Sequence, residues 1–221
     1  MPTIRRGASS ARPTSAGNAA SRPRNIASSA TLAQAEAEGA TSQGVNGAWL
    51  LALTGCRLGE IEGLRWSEAD DDGSCFRLTD TKEGASVRPI GRPAFDVLAG
   101  IARRQGCPFV LPAVRGKRED AFGGMPGAWK RLAERAKLEG VTPHTLRHSF
   151  ASVAGDLGFT ESTIAAMLGH AAGSVTSRYV HHLDTVLVAA ADKVARSIHA
   201  TMTGAESKVV RLPRRGRSAP A

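Results

Sequence analysis

The stretch TPHTLRHSFASVAGDLG, residues 142–158, has the features of a helix that carries polar groups on one face. Thr142 is a natural helix N-cap, and Pro143 suits the first helical position, where its missing N–H has no intrahelical partner. His144 and Arg147 are three residues apart and therefore share a face of that helix. The planar donor fork of an arginine beside a histidine suits an anion. Taken alone, this spacing fits a surface pair and an anion site equally well.

A second histidine, His148, follows His144 at a spacing that also suits a pair of metal ligands. The residues between them include the cationic Arg147 and no glutamate of the kind a zinc protease uses as its base. The three cysteines, Cys56, Cys75 and Cys107, have no metal-type spacing either. We therefore expect no metal and no other cofactor, and we expect the cysteines to be reduced thiols of a cytoplasmic protein.

The sequence around this helix predicts an α+β fold that is mainly helical, with a small antiparallel β-sheet near residues 74–90. SCFRLTD and SVRPI are typical of two short strands around a turn at Gly84. Helical periodicity and Gly, Pro or Thr boundary signals recur along the rest of the body. They predict helices at 44–53, 58–65, 93–105, 126–140, 142–158, 160–168 and 184–199, and a short helix around Tyr179.

The net charge of +9 belongs to the two ends of the chain. Residues 1–30 contain five arginines and no acid, and residues 201–221 contain five basic residues against one glutamate. Both ends have few large apolar residues, which predicts disorder. We expect a disordered basic N-terminal arm at 1–40, a folded domain at 41–200 and a disordered basic tail at 201–221. Flexible basic arms attract the phosphates of nucleic acids. No apolar run of the sequence approaches the roughly 20 residues that a membrane span needs.

Four further residues are candidates for a site. Arg57 lies in TGCRLGE, a turn between two helices, where an arginine can face a ligand or equally cap a helix C-terminus, and Glu60, one helical turn on, can hold its guanidinium. Lys82 lies in the hairpin turn, and His170 directly follows the glycine that ends the helix at 160–168. Tyr179, nine residues after His170, is the only tyrosine of the chain. A tyrosine has a pKa near 10 and needs help to lose its proton before it can act as a nucleophile.

Five segments together resemble the tyrosine recombinase (phage integrase) family in their order and approximate spacing. They are TGCRLGEIEGLRW, TKEGASVRPI, HTLRHSFAS, LGH and RYVHH, and the resemblance covers about residues 45–183. It implies the catalytic-domain fold of that family. It also implies site-specific cleavage and rejoining of DNA strands through a 3′-phosphotyrosyl intermediate, as in the integrases of mobile genetic elements.

The resemblance implies a role for each of six residues. Arg57 and Arg147 bind the non-bridging oxygens of the DNA phosphodiester. His144 lies close to the phosphate and the nucleophile, as a hydrogen-bond donor or a proton acceptor. His170 donates to a phosphate oxygen, and Lys82 protonates the departing 5′-oxygen. Tyr179 attacks phosphorus. Preorganised cations facing the charge that develops on the phosphoryl oxygens lower the barrier, so two arginines make a metal unnecessary.

Members of the family place a separate helical DNA-binding domain before the catalytic one, whereas only about 40 residues precede GAWLLAL here. We therefore expect a truncated chain without that clamp. Its implied partners are double-stranded DNA in the nucleoid, further copies of itself in a dimer or tetramer, and an accessory protein or separate clamp domain. The last helix, 184–199, is implied to dock on a neighbouring subunit. Two alternatives remain open: a catalytically impaired integrase remnant, and a helix-turn-helix DNA-binding protein with its recognition helix at 160–168 or 173–181.

Overall fold

The computed structural model describes residues 29–79, 81, 84–117, 119–169 and 185–205. Within these ranges the chain forms eight α-helices and one small sheet, which confirms the predicted mainly helical α+β fold. None of these helices combines the length and the apolar content of a membrane span. In chain order the helices are α1 (Ser29–Ala37), α2 (Ser42–Thr54), α3 (Leu58–Glu62), α4 (Arg92–Ala99), α5 (Met125–Arg135), α6 (Pro143–Asp156), α7 (Glu161–Leu168) and α8 (Thr185–Thr203).

The sheet has three antiparallel strands in the order β1 (Ala69–Asp70), β2 (Cys75–Leu78) and β3 (Ser86–Pro89). The predicted hairpin is therefore confirmed as β2 and β3, and the short β1 is added beside β2. Phe76 of β2 lies opposite Arg88 of β3, and both side chains are buried. Because directly opposed residues share a face of a sheet, an arginine points into the same layer as a core phenylalanine.

Helix α2 is the centre of the fold, and α1, α4, α5, α6 and α8 pack around it. It is buried nearly all round, as expected for a helix that is apolar on every side. It ends at Gly55, which has a left-handed φ of 63°. A Cβ at Gly55 would lie 2.8 Å from Leu168 and 2.9 Å from Phe150. The missing side chain thus lets the end of α2 lie directly against α6 and α7.

The starts of α6 and α7 lie where the sequence predicts them. The Thr142 hydroxyl accepts a hydrogen bond of 3.2 Å from the Thr145 amide, and Pro143 is the first helical residue. The Thr160 hydroxyl accepts from the Thr163 amide at 3.3 Å in the same way. Each cap satisfies an N–H group that has no partner within its helix. The cap at Thr142 therefore fixes the start of α6, which carries His144 in its first turn and Arg147 in the next.

Three predicted helices end earlier than the sequence suggests. The helix expected over 58–65 is α3, which stops at Glu62 before Gly63. The helix expected over 93–105 is α4, which stops at Ala99, where a turn at Gly100 brings the chain back onto the core. The helix expected to end at Gly140 is α5, which stops a turn sooner. Lys137 follows it with a φ of 52°, in the left-handed region that an α-helix cannot continue through. Just beyond α4 and α5, Ile101 and Leu138 are partly buried against the core.

Both borders of the predicted domain move outward. Leu32 and Ala35 of α1 are buried, and this helix packs on α2 and α5, so residues from Ser29 onward belong to the folded body rather than to a disordered arm. At the other end, α8 continues to Thr203 with Met202 buried. The borders move because individual apolar side chains, Leu32 and Ala35 of α1 and Met202 of α8, pack into the core. Residues 1–28 and 206–221 lie outside the described part of the chain.

Helix α8 packs on its own chain. Its buried face, which includes Ala191, Val194 and Ile198, contacts α2, α4 and α6. The Arg92 amide at the start of α4 also donates to the Asp192 carboxylate of α8 at 2.8 Å. The docking of this helix on a neighbouring subunit, which the resemblance implies, stays a prediction.

Candidate active site

The guanidinium of Arg147 is buried between the C-terminal ends of two helices. Its side chain leaves the first turns of α6, and the residue is only 5% exposed. One terminal nitrogen donates to the Gly55 carbonyl at the end of α2 at 2.6 Å, and the other donates to the Leu168 carbonyl at the end of α7 at 2.9 Å. The last carbonyls of a helix lack intrahelical partners and carry the negative end of its dipole. Arg147 therefore satisfies two helix ends at once.

Arg57 is held by the carboxylate of Glu60, as the sequence suggests. It immediately precedes α3, and its backbone amide donates to Glu60 Oε2 at 2.7 Å. Its guanidinium also donates to Glu60 Oε1 at 3.1 Å, and its side chain is 29% exposed. The same carboxylate thus fixes both the main chain and the side chain of Arg57, while part of the guanidinium stays accessible to a ligand.

The fold brings Arg57 and Arg147 together although they come from distant parts of the chain. The carbonyl that holds Arg147 belongs to Gly55, two residues before Arg57. Burial lowers the pKa of Arg147, and the neighbouring positive charges of Arg57 and Arg88 lower it further. Two guanidinium groups close enough to repel each other form a site that an anion would stabilise.

A third arginine, Arg88 of β3, completes this cluster. It is 1% exposed, and its guanidinium donates to Glu60 Oε1 at 2.6 Å and to the Leu168 carbonyl. Sequence reasoning did not single out this residue. The available signal was its alternation with the buried Ile90, which places both side chains on the inner face of a strand.

Glu60 is therefore a carboxylate shared by two arginines. Burial alone would raise its pKa, but the Arg57 amide and the charges and hydrogen bonds of Arg88 and Arg57 outweigh burial and lower it. Glu60 is ionised at neutral pH. Three guanidinium groups and one carboxylate leave the cluster with a formal charge of +2.

His144 and His148 line a pocket of about 250 Å³ between α6 and α7. Their rings meet edge to face with centroids 4.5 Å apart. Arg147 lines the same pocket, so the structure places His144 and Arg147 on one surface, as their spacing predicts. The remaining lining residues are Ala151, Glu161, Ile164, Ala165 and Leu168. The described residues contain no group of three or more His, Cys, Asp or Glu side chains arranged to hold a metal ion.

Cys56 lies between Gly55 and Arg57 but is not a candidate nucleophile. Its side chain is buried, and burial together with the nearby charge of Glu60 raises the pKa of the thiol to about 11. A thiol with that pKa stays protonated at neutral pH, and the thiolate is the reactive form. The cluster therefore offers positive charge and hydrogen-bond donors without a sulfur nucleophile.

The sequence profile of the phage integrase family matches residues 31–185, a range that contains all six candidate residues. The chain belongs to the phage integrase family. Curated relatives of this family member include tyrosine recombinase XerD of Mycobacterium tuberculosis, 35% identical over 147 residues, and XerD of Mycobacterium leprae, 30% identical over 149 residues. Each alignment covers 62% of this chain and 46% of the relative. The chain thus spans about half the length of these relatives.

Solved structures of integrases and Xer recombinases have a similar fold. XerA recombinase gives a TM-score of 0.52 at 21% identity, over 78% of this chain and 62% of the other. The Tn1549 transposon integrase, in complex with circular intermediate DNA, gives 0.51 at 17% identity, over 73% and 61%. The described body therefore has the catalytic-domain fold of the tyrosine recombinases.

Half of the six candidate residues lie in the described part of this integrase-family chain. Arg57 and Arg147 converge, and His144 lies on the pocket beside Arg147. Lys82, His170 and Tyr179 lie outside the described residues. Their assignment rests on the order of the family motifs in the sequence.

Proposed function

We propose that this chain cleaves and rejoins DNA strands through a covalent 3′-phosphotyrosyl intermediate on Tyr179. The observation that carries the proposal is the convergence of Arg57 and Arg147. Two guanidinium groups from distant segments are fixed side by side, one by a carboxylate and one by two helix ends. Such a preorganised pair of forked donors matches the two non-bridging oxygens of a phosphodiester.

In the proposed reaction, the Tyr179 hydroxyl gives its proton to His144, its oxygen attacks phosphorus, and the bond from phosphorus to the 5′-oxygen breaks. Arg57 and Arg147 bind the oxygens on which negative charge develops, and His144 and His170 add hydrogen bonds at the same phosphate. Lys82 gives its proton to the departing 5′-oxygen. Because the phosphotyrosyl bond keeps the phosphoester energy, a 5′-hydroxyl can reverse the steps and rejoin a strand without a nucleotide cofactor.

The comparisons support DNA as the substrate. The curated relatives are named tyrosine recombinases, and the Tn1549 integrase was solved with DNA. Because the chain spans only about half of those relatives, the proposal includes a clamp contributed by another domain or an accessory protein, and assembly of several copies on DNA. The described residues offer the helix-turn-helix alternative no specific support, since that reading leaves the buried guanidinium cluster without a role.

A suicide-substrate assay tests the proposal. The purified chain is incubated with nicked duplexes tiled from the DNA beside its own gene, and adducts are resolved on denaturing gels. Because the chain has one tyrosine, any phosphotyrosyl adduct must lie on Tyr179. We expect a covalent band with the wild type and none with Tyr179→Phe, which leaves DNA binding unchanged.

Two results contradict the proposal. An adduct that persists in Tyr179→Phe excludes this nucleophile. Absence of any band, even with a clamp domain from a relative supplied in trans, together with salt-sensitive DNA binding, identifies a DNA-binding remnant. As a control within the site, Arg147→Lys keeps the charge but loses the two-pronged contact, and we expect its cleavage rate to fall by about 10²-fold or more.

A further inference from the structure

Arg88 is a buried charge whose presence requires an explanation. It is the largest side chain among those that are fully buried in the described part of the chain, and it lies on a strand next to core residues. Removing a guanidinium from water costs several kcal/mol unless it is paired and hydrogen-bonded. Its Nε atom is buried without a hydrogen-bond partner among the described residues. A neutral apolar residue would fill this position on the inner face of β3 without the cost of removing a charge from water.

The partners of Arg88 are the groups that hold the two proposed phosphate-binding arginines. Its contact with Glu60 Oε1 at 2.6 Å competes for the carboxylate that holds Arg57 at 3.1 Å. Its contact with the Leu168 carbonyl is made on the same oxygen that accepts from Arg147. Arg88 therefore shares one acceptor with each of them, and it links the start of α3 to the end of α7.

The close packing of Arg88 extends to the main chain at the end of α7. A Cβ at Gly169 would lie 0.9 Å from a terminal nitrogen of Arg88, so the guanidinium occupies the space that any side chain there would need. Gly169 directly precedes His170, a candidate phosphate ligand. The position of Arg88 thus affects the backbone from which a third proposed ligand begins.

Charge balance gives Arg88 a second effect. With Arg57, Arg88, Arg147 and Glu60 ionised, the cluster has a formal charge of +2. Without Arg88 the charge falls to +1, and Glu60 pairs with Arg57 alone, which cancels the charge that the phosphate would meet. Removing Glu60 as well restores +2. Electrostatic stabilisation of a phosphoryl transition state depends on this net charge.

We propose that Arg88 is a positioning residue of the phosphate site: it neutralises Glu60, so that Arg57 keeps its charge for the phosphate, and it fixes the end of α7 beside Arg147. This inference rests on the proposed function for its role in strand transfer. The alternative is that Arg88 contributes only to folding. The two roles predict different responses of the DNA cleavage rate, per folded molecule, when the charge of Glu60 is removed.

The test compares Arg88→Met, Arg88→Lys and the double variant Glu60→Gln/Arg88→Met with the wild type. Arg77→Met is the matched control, because Arg77 pairs with Asp70 on the neighbouring strand at 2.8 Å but is exposed. Single-turnover cleavage of the suicide duplex is measured at saturating DNA, and the folded fraction is taken from urea unfolding. The dissociation constant for DNA is measured separately.

We expect Arg88→Met to cleave about 100-fold more slowly, with little change in DNA affinity, which is spread over many phosphate contacts. The double variant should recover at least about tenfold of that loss, because its charge is again +2. Arg88→Lys should be intermediate, and Arg77→Met should match the wild type. If Arg88→Met does not fold, the double variant is decisive, since it leaves neither charge unpaired. The proposal is overturned if Arg88→Met cleaves as fast as the wild type, or if the double variant cleaves no faster than Arg88→Met.

A second readout separates this inference from the proposed function. Thermal unfolding is compared in inorganic phosphate and in chloride at equal ionic strength. We expect phosphate to stabilise the wild type, Arg77→Met and the double variant, and not Arg88→Met. This pattern without any DNA adduct would support the role of Arg88 and reject strand transfer. A wild type that neither forms adducts nor responds to phosphate rejects both.

Discussion

Glu60 and Glu62 lie on opposite faces of the same five-residue helix, α3, and their carboxylates are in opposite electrostatic environments. Glu60 faces Arg57 and Arg88, and its pKa is lowered although burial alone would raise it. Glu62 accepts a backbone hydrogen bond from Met125, but burial still raises its pKa. One Glu62 oxygen is buried without a hydrogen-bond partner among the described residues.

Because burial disfavours both carboxylates, the difference lies in the cations that each one meets. The face of α3 that turns toward β3 and α7 has two guanidinium groups, and the face that turns toward α5 has only a backbone amide. The ionised form of Glu60 is therefore stabilised by the arginine cluster, whereas the ionised form of Glu62, which packs against α5, is destabilised. Substituting each residue separately measures that difference.

Glu60→Gln should have the largest effect on stability. It leaves the Arg88 guanidinium buried without a carboxylate, and breaking one half of such a pair lowers the free energy of unfolding by about 3 kcal/mol or more. Urea unfolding at neutral pH measures the change. Glu62→Gln is the matched control, because it makes the same chemical change two residues away. Equal losses in the two variants would contradict the comparison.

Gly169→Ala should have the next largest effect, because it displaces Arg88 from Glu60. The added Cβ meets the Arg88 guanidinium, and alanine is strained at a φ of 62°. We expect a loss of about 3 kcal/mol from overpacking and backbone strain together. Gly158→Ala measures the cost of backbone strain alone, since the φ of Gly158 is 86° and nothing lies within 4 Å of where the added Cβ would be. That control should lose only about 1 kcal/mol, and a similar loss in both variants would show that Arg88 moves aside easily.

The decrease in the free energy of unfolding at acid pH should depend on Glu60. Its pKa is lower in the folded chain than the ordinary value of 4.5, so its contribution is complete above that pH and is lost as the pH falls toward the lowered pKa. Urea midpoints measured from about pH 3 to about pH 7 should fall less steeply on the acid side in Glu60→Gln than in the wild type. An unchanged acid slope in this variant would show that Glu60 is not ionised in the folded chain.

Glu62→Gln should have the smallest effect, and its sign should be opposite. The pKa of Glu62 is raised on folding, so ionisation above the ordinary value of 4.5 destabilises the native state, and the penalty is complete above the raised pKa. The variant should be slightly more stable at neutral pH, by less than about 1 kcal/mol because solvent reaches part of the side chain, and no more stable at acid pH. A loss of stability at neutral pH would mean that the Met125 amide needs the full negative charge.

The local features of the site could be predicted from the sequence, and the non-local ones could not. The cap at Thr142 and the shared face of His144 and Arg147 depend on neighbours within one helical turn. Arg88 was missed because its partners are distant: the Leu168 carbonyl lies 80 positions away along the chain. An arginine in a short strand gives no sign of which acceptor it will meet, since that depends on how the sheet packs against α7.

The ends of α4 and α5 were mispredicted for a related reason. Sequence patterns mark a helix end by glycine or proline, and the prediction used Gly106 and Gly140 for this purpose. The chain leaves each helix sooner, and Ile101 and Leu138 just beyond the helix ends pack partly buried against the core. Tertiary burial overrides helix propensity at such positions.

The junction of α2 and α7 at Arg147 also links the site to local opening of the native state. The Gly55 amide is hydrogen-bonded to Leu51 in the last turn of α2, and the Gly169 amide is hydrogen-bonded within the last turn of α7. Fraying of either turn removes one of the two carbonyls that hold Arg147. Hydrogen–deuterium exchange at these two glycine amides therefore reports how often Arg147 loses one of its carbonyl partners by local opening, while the other helices stay folded.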